Sequence, residues 1–268
     1  MSVKTITYSI KYHKNEGLVF SPEELMSLYL YGINVRSKDG SEISKDTIKF
    51  YIEASQQEIE KYLEIRFNKK FISQTTTYFK DDYWGGFPIL PTKLPVSKPL
   101  SFIGFLNGIE QIKYPLDWLN TKKDSEGHYY KKIHLIPTGS TTSRANADII
   151  LTGITAYLGL TSYGQVPNYF SLQYLTGYDY NDLPTDLLNV VGKFSAINIL
   201  NLTGDIILGS PGITGISLGM DGLSQSINTT MSSGNSAFSA RIKQYATEID
   251  STIKRLRLFY KSINISAL

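Results

Sequence analysis

The chain of 268 residues contains no cysteine, and histidine is nearly as scarce. The absence of cysteine excludes disulfide bonds, thiolate nucleophiles and thiolate zinc sites. The three histidines, His13, His128 and His134, lie in unrelated local contexts, which argues against a three-histidine metal site. We interpret each of them as a surface or packing residue, and we expect neither a metal ion nor a cofactor.

A strong excess of basic charge is also missing. The formal net charge is +3, with 19% charged residues, whereas proteins that bind nucleic acid through its phosphates are usually much more basic. Any contact with DNA is therefore expected to be indirect and to lack sequence specificity. No run approaches eighteen uncharged apolar residues, and residues 1–19 alternate apolar and polar side chains instead of forming a signal peptide. We predict an N-terminal arm and a soluble protein made in a cytoplasm, without membrane contact.

Residues 20–66 are predicted to contain two helices. Ser21 suits an N-cap and Pro22 suits the first helical position, so a helix should begin there and end at Gly32. A second helix should follow a cap at Ser44, because apolar residues then recur at spacings of three and four. Its polar face is expected to be exposed to solvent: Lys49, Glu53, Gln56, Gln57, Glu60 and Lys61.

Residues 67–175 change character and are predicted to form an inserted, antiparallel β subdomain. Seven of the ten prolines fall in this segment, among short runs of β-forming residues at 75–79, 102–106, 132–136 and 148–151. Asn107 and Gly108 should form a type I′ hairpin turn, because both tolerate a positive φ. The predicted fold class is therefore α+β, a helical bundle that carries an inserted β subdomain.

Residues 176–268 are predicted to return to helix. From Asp182 to Leu202 apolar residues surround most of the circumference, which indicates a central helix buried on several sides and ended by Gly204. The last helix should begin at Asn235 or Ser236. An apolar stripe follows it for nearly thirty residues, about 40 Å, which is too long for a small subdomain to cover. We expect part of this stripe to contact another subunit.

Residues 205–232 hold a glycine-rich stretch that could be a phosphate cradle or a segment shaped for protein contact. No lysine or arginine occurs from Asp205 to Ala240, so the lysine of a P-loop is absent. A dinucleotide site needs a helix directly after the glycines, whereas the sequence here alternates like a strand. We interpret the stretch as a hairpin in which glycine permits turns and close backbone approach.

No constellation of side chains indicates catalysis, and we expect no enzymatic activity. Asp81 and Asp82 are adjacent in a predicted loop, where neighbouring carboxylates usually point apart instead of opposing each other as in a glycosidase. An alternative is a carbohydrate- or receptor-binding virion protein that uses aromatic side chains of the β subdomain. Its candidate residues are Tyr83, Trp84 and Trp118.

The order of these segments resembles the head-to-tail connector, or adaptor, proteins of tailed bacteriophages. The resemblance covers residues 20–263 and depends on three architectural patterns: Pro-Val-x-x-Pro from Pro95, the TGY…LP-DL pattern at 176–187, and the SLGMDGLS run at 217–224. The resemblance implies a helical bundle with a β insertion, whose copies form a ring, usually dodecameric, beneath the portal. None of the three patterns is catalytic.

The resemblance also implies partners and contact surfaces. The ring would join capsid to tail in the neck of the virion and extend the channel through which double-stranded DNA passes. Its partners would be other copies, the portal protein and downstream tail proteins. Predicted portal-binding residues are Lys254, Arg255, Arg257, Phe259, Tyr260, Lys261, Ile263 and Leu268. The predicted inter-subunit hairpin residues are Gly215, Ile216, Leu218, Gly219, Asp221, Gly222 and Leu223.

Overall fold

A computed structural model describes residues 17–33, 36, 40, 42–79, 89–136, 164–208, 215–220, 223–228 and 236–261. For 205–208, 215–220, 223–228, 236 and 237 it describes the backbone only. The chain divides into two compact units. One, the helical unit, combines Met1–Phe67 with Asp179–Ala267, and the other, the β unit, is Asn68–Tyr178. The predicted α+β fold class, with antiparallel strands between helical segments, is confirmed.

Four α-helices form most of the helical unit: α1 (Pro22–Tyr29), α2 (Lys45–Leu63), α3 (Thr185–Leu208) and α4 (Ser236–Lys261). The two predicted N-caps are confirmed. Ser21 Oγ accepts a hydrogen bond from Glu24 N, and the Glu24 carboxylate accepts one from Ser21 N, which is a complete capping box. Ser44 Oγ accepts from Thr47 N at the start of α2. Helix α1 ends at Tyr29, shortly before the predicted Gly32.

Helix α3 is the central element of the helical unit, as its apolar circumference predicts. It contacts α1, α2 and α4. Side chains on all sides of it are buried: Leu187, Val190, Val191, Phe194, Ala196, Ile197, Ile199 and Leu200. The prediction that Gly204 ends this helix is wrong, because the helix continues to Leu208. A single glycine inside a helix costs only about 1 kcal/mol, which the adjoining helical turns tolerate.

Most of the apolar stripe of α4 is covered within a single copy of the chain. Ile242, Ile249, Ile253, Leu256 and Tyr260 are at most 6% exposed, and α4 contacts both α3 and α2. These buried residues need no other subunit, because α3 and α2 cover them. Phe238 and Tyr245 of the same stripe are only half-buried, and Ile263 lies outside the described residues, so contact of part of the stripe with another subunit stays a prediction. Of the helices that the structure describes, none combines the length and hydrophobicity of a membrane span.

Two polar residues of α2 that were expected to face solvent are buried. Gln56 accepts a hydrogen bond from Val19 N and donates one to the Gly17 carbonyl oxygen. Glu60 accepts from Phe67 N at 2.7 Å and pairs with Arg66 at 2.9 Å. Both side chains thus satisfy backbone groups of segments that flank the helix, which a periodicity argument cannot detect. Residues 1–16 of the predicted arm lie outside the described residues.

The described residues of the β unit form two antiparallel sheets. Its strands are β1 (Lys70–Phe79), β2 (Ile89–Pro91), β3 (Lys98–Leu106), β4 (Ile109–Lys113), β5 (Leu119–Asn120), β6 (Lys132–Leu135) and β7 (Gln165–Thr176). The larger sheet has the order β1-β7-β3-β4 and the smaller one β2-β6-β5. The predicted hairpin turn is confirmed, with φ of 50° at Asn107 and 77° at Gly108. The predicted run at 148–151 lies outside the described residues.

An aromatic core holds the β unit together. Phe102 stacks on Phe170 with ring centroids 4.9 Å apart, and Tyr78, Tyr114, Trp118, Tyr169 and Tyr174 are buried in the same cluster. Aromatic pairs contribute beyond their buried area when they stack or meet edge to face. This packing brings Tyr169 so close to Gly104 that an added Cβ would lie 2.8 Å from the phenol ring.

The glycine-rich stretch forms the predicted hairpin. Strand β8 (Gly215–Met220) pairs with β9 (Leu223–Asn228) in antiparallel register, from Gly215 opposite Asn228 to Met220 opposite Leu223. Two residues, Asp221 and Gly222, separate the strands in sequence and lie outside the described residues. The strand interpretation is therefore confirmed.

Replacing Gly177 by alanine should destabilise the protein. The residue has φ +89°, and a Cβ there would lie 2.3 Å from the Asn68 carbonyl oxygen, so backbone would have to move. We expect a loss of roughly 2 kcal/mol or more in the free energy of unfolding, measured by urea denaturation. Gly164→Ala is the control, because nothing lies within 4 Å there. An equal effect of both substitutions would contradict the steric argument.

Replacing Tyr169 by phenylalanine should leave stability at neutral pH unchanged or higher. The phenol oxygen is buried and has no hydrogen-bond partner among the described residues, so its removal leaves none of their polar groups unsatisfied. Burial, with the nearby Tyr78, raises the pKa of Tyr169 to about 12. An unfolded tyrosine ionises near pH 10, so stability is full below that pH and falls as pH rises toward about 12. Urea midpoints should fall less steeply in Tyr169→Phe above about pH 10 than in the wild type; identical slopes would contradict this assignment.

Candidate interaction surfaces

The cations at the end of α4, which were predicted to bind a portal, have partners within the chain. Lys254 Nζ lies 2.8 Å from Asp250 Oδ2, one turn earlier in the helix. Arg255 lies 3.1 Å from Asp186 Oδ2 in the first turn of α3. Exposed pairs of this kind contribute at most about 1 kcal/mol. A partner could therefore replace either pair at small cost.

Two further cations near the C-terminal end of α4 lie over one aromatic ring. The Arg257 guanidinium lies 5.6 Å from the Tyr62 ring centroid and Lys261 Nζ lies 5.4 Å from it. Both distances are within the range of cation–π attraction. Tyr62 of α2 therefore positions two of the predicted portal-binding residues, a role that the sequence pattern did not indicate.

The aromatic and apolar candidates of the same segment fall into different environments. Tyr260 is 1% exposed, so its side chain belongs to the core and is unavailable to a partner in this conformation. Phe259 packs edge-on against it, with ring centroids 5.0 Å apart. Ile263 and Leu268 lie outside the described residues. Leu258, which was not predicted, is 71% exposed and is the most exposed large apolar side chain described in α4.

The hairpin residues that were predicted to contact a neighbouring copy lie in β8 and β9 or between them. The backbone of Gly215, Ile216, Leu218, Gly219 and Leu223 is described as strand, and their side chains are not described. Their role in assembly stays a prediction.

Three side chains at the tip of a β-unit hairpin converge as possible metal ligands: Asp124, Glu126 and His128. Asp124 Oδ1 accepts hydrogen bonds from the backbone N–H groups of Glu126 and His128, and Glu126 Oε2 lies 3.5 Å from His128 Nε2. His128 is buried, in agreement with a packing role. Lysines at 122, 123, 131 and 132 flank the cluster in sequence and oppose the binding of a dication. The hydrogen bonds to Asp124 Oδ1 stabilise the turn itself, and we interpret the cluster as a structural turn and not as a metal site.

The residues of the carbohydrate-binding alternative are only partly described. Trp118 is 0% exposed and lies in the aromatic core, so its indole face is unavailable for stacking on a sugar. Tyr83, Trp84, Asp81 and Asp82 lie outside the described residues. Of the three aromatic residues proposed for carbohydrate binding, the one that the structure describes is therefore not available to a sugar.

One surface was missed by the sequence analysis: the outer face of the smaller sheet. Strand β6 alternates, so that Ile133 and Leu135 are buried while Lys132 and His134 are on the opposite face. Asn120 of β5 is paired with His134. The signal was available in the KIHL alternation beside two Lys-Lys pairs, but the low net charge of the whole chain concealed it.

Comparisons with known proteins leave the family of the chain open. A scan against protein-family models finds no match, and neither does a search of curated protein sequences. Among solved structures, a chain described as "Neck of empty GTA particle computed with C6 symmetry" aligns at 15% identity with a TM-score of 0.34. The alignment covers 66% of this chain and 76% of that chain.

Two substitutions on α4 should separate core residues from surface residues. Tyr260→Ala removes a buried ring and should lower the free energy of unfolding by roughly 3 kcal/mol or more. Leu258→Ala, on the exposed side of the same helix, should change it by at most about 0.5 kcal/mol. Urea denaturation of both variants measures the difference. A stable Tyr260→Ala protein would restore this ring as a candidate for partner contact.

Proposed function

We propose that this chain is a structural virion protein of a tailed bacteriophage, located in the neck between capsid and tail. Copies form a ring, of twelve subunits as the resemblance implies, below the portal, and extend the channel for the genome. The protein makes and breaks no bond. Its partners are other copies, the portal protein and downstream tail proteins.

The observation that carries the proposal is the architecture. The connector resemblance implies a helical bundle interrupted by a β insertion and completed by a long C-terminal helix. The structure has this order: α1 and α2, then the antiparallel β unit, then α3, the hairpin and the 26-residue α4.

The covered stripe of α4 changes how assembly should proceed. Because most of the described apolar face of α4 is buried within one copy, a single subunit is not left with an open core. Ring contacts should then come mainly from surfaces outside the core, and the exposed large apolar residues among the described part of the helical unit are Leu28, Tyr31, Phe50, Tyr180 and Leu258. We expect a stable monomer in dilute solution, which assembles on the portal because bound copies raise the effective concentration of their neighbours.

Because part of α4 is buried, only some C-terminal deletions can test portal binding without unfolding the protein. Deletion of residues 254–268 would remove Leu256 and Tyr260 from the core, so loss of portal binding would only report unfolding. Deletion of residues 262–268 leaves every described residue of α4 in place. Portal binding that survives this deletion and Leu258→Asp would show that the end of α4 is not the anchor.

Electron microscopy of the purified chain mixed with its portal tests the neck assignment. We expect an axial ring on the portal for the wild type and none for Leu218→Asp in β8, because a charge would replace an apolar residue that is predicted to contact a neighbouring copy. Ser217→Asp adds the same charge at a position that is already polar and is not among the predicted contacts, so it should retain the ring. Urea midpoints of both variants verify folding. Particles without an axial ring under all conditions would overturn the proposal.

A further inference from the structure

The outer face of the smaller sheet in the β unit is cationic. Alternation in β6 places Lys132 and His134 on this face, and pairing in the two flanking strands adds Ile89 and Pro91 from β2 and Asn120 from β5. Lys122 follows Asn120 by two residues and is exposed, and its carbonyl oxygen accepts a hydrogen bond from Tyr130 N. Beneath them Leu90, Leu119, Ile133 and Leu135 are buried, so the face rests on a fixed apolar layer.

Strand pairing sets the members of this face side by side: His134 is opposite Ile89 and Asn120, and Lys132 is opposite Pro91. Burial, Lys132 and Lys122 lower the pKa of His134, in that order of effect. The three strands themselves contain no aspartate or glutamate. The nearest acids along the chain are Asp117 and Asp124, and Asp124 Oδ1 is already engaged by two backbone N–H groups.

Charge is distributed unevenly between the two units. Residues 68–178 contain eleven lysines and arginines against seven aspartates and glutamates, whereas the remainder of the chain contains sixteen against seventeen. The modest net charge of the whole chain thus conceals a positive β unit beside a nearly neutral helical unit. An anion would be attracted to the β unit first.

We propose that this cationic face, formed by Lys122, Lys132, His134 and Asn120, binds the phosphate backbone of double-stranded DNA without reading its sequence. Lysines attract successive phosphates, while Asn120 and a ring nitrogen of His134 can donate hydrogen bonds to phosphate oxygens. The choice of DNA over other anions rests on the proposed neck function. The face itself belongs to a single copy and needs no ring.

Tyrosine rings beside the lysines add to the surface. Lys132 Nζ lies 5.4 Å from the Tyr130 ring centroid, and Lys123 Nζ lies 4.7 Å from that of Tyr129. These contacts restrict long side chains that would otherwise lose conformational freedom on binding a phosphate. The cations are thereby partly ordered before the anion arrives.

Fluorescence anisotropy with a labelled duplex of about thirty base pairs, at several salt concentrations, tests the proposal on the full-length wild-type protein. Lys122→Gln/Lys132→Gln should weaken binding and reduce the slope of log K against log salt by roughly two, since each lost phosphate contact contributes about 0.9. The control, Lys98→Gln/Lys113→Gln, removes the same charge from exposed positions of the larger sheet and should keep the wild-type slope.

A second readout follows His134 by NMR. Its pKa should rise when wild-type protein binds the duplex, because phosphates offset the neighbouring lysines. No binding by the wild type, or an equal loss in both double variants, would overturn the proposal. Equal affinity for polyglutamate would also overturn it in favour of an acidic protein partner. Neither readout requires a ring, so the two proposals fail separately. DNA binding without an axial ring would disprove only the neck assignment. An axial ring without DNA binding would disprove only the proposed DNA-binding face.

Discussion

The helical unit depends on how α3 is covered. A helix that is apolar around most of its circumference can leave only a narrow polar side in water, such as that of Asn189, so its other sides must be enclosed by other elements. Helices α1, α2 and α4 perform this role, and in doing so they bury their own apolar faces. Each contact therefore buries an apolar surface of α3 and an apolar face of the helix packed against it. This is why α4, despite its length, has no long exposed stripe in the described residues.

Close approach between α1 and α3 illustrates how tight this packing is. Gly192 of α3 faces the Tyr29 ring, and a Cβ at this glycine would lie 2.3 Å from it. The Tyr29 hydroxyl lies 3.2 Å from Asn189 Oδ1, and its carbonyl oxygen accepts a hydrogen bond from the Tyr245 hydroxyl of α4. Three helices thus converge on one tyrosine, and burial, with Tyr245 nearby, raises its pKa to about 12.

The features of this protein that bear on its function lie on its surfaces. The cations near the end of α4 are paired inside the chain, and the ring of Tyr260 is core, so the aromatic and basic anchor that the resemblance suggested is much reduced. The β unit presents a charged face that the overall composition conceals. A self-contained subunit with distinct contact surfaces on its two units is consistent with the proposed role in an assembly that encloses a polyanion.

Features that depend on residues close together in the chain were predicted from the sequence. Caps at Ser21 and Ser44, the Asn107-Gly108 turn, the strand alternation in β6 and the buried circumference of α3 each depend on residues within one element, and all are confirmed. Tertiary structure alone decided what covers α4, why Gln56 and Glu60 are buried, and that Tyr62 lies beneath two cations. These outcomes join residues far apart in the chain. Periodicity reports which face of an element is apolar, but the partner of that face is set by packing between elements.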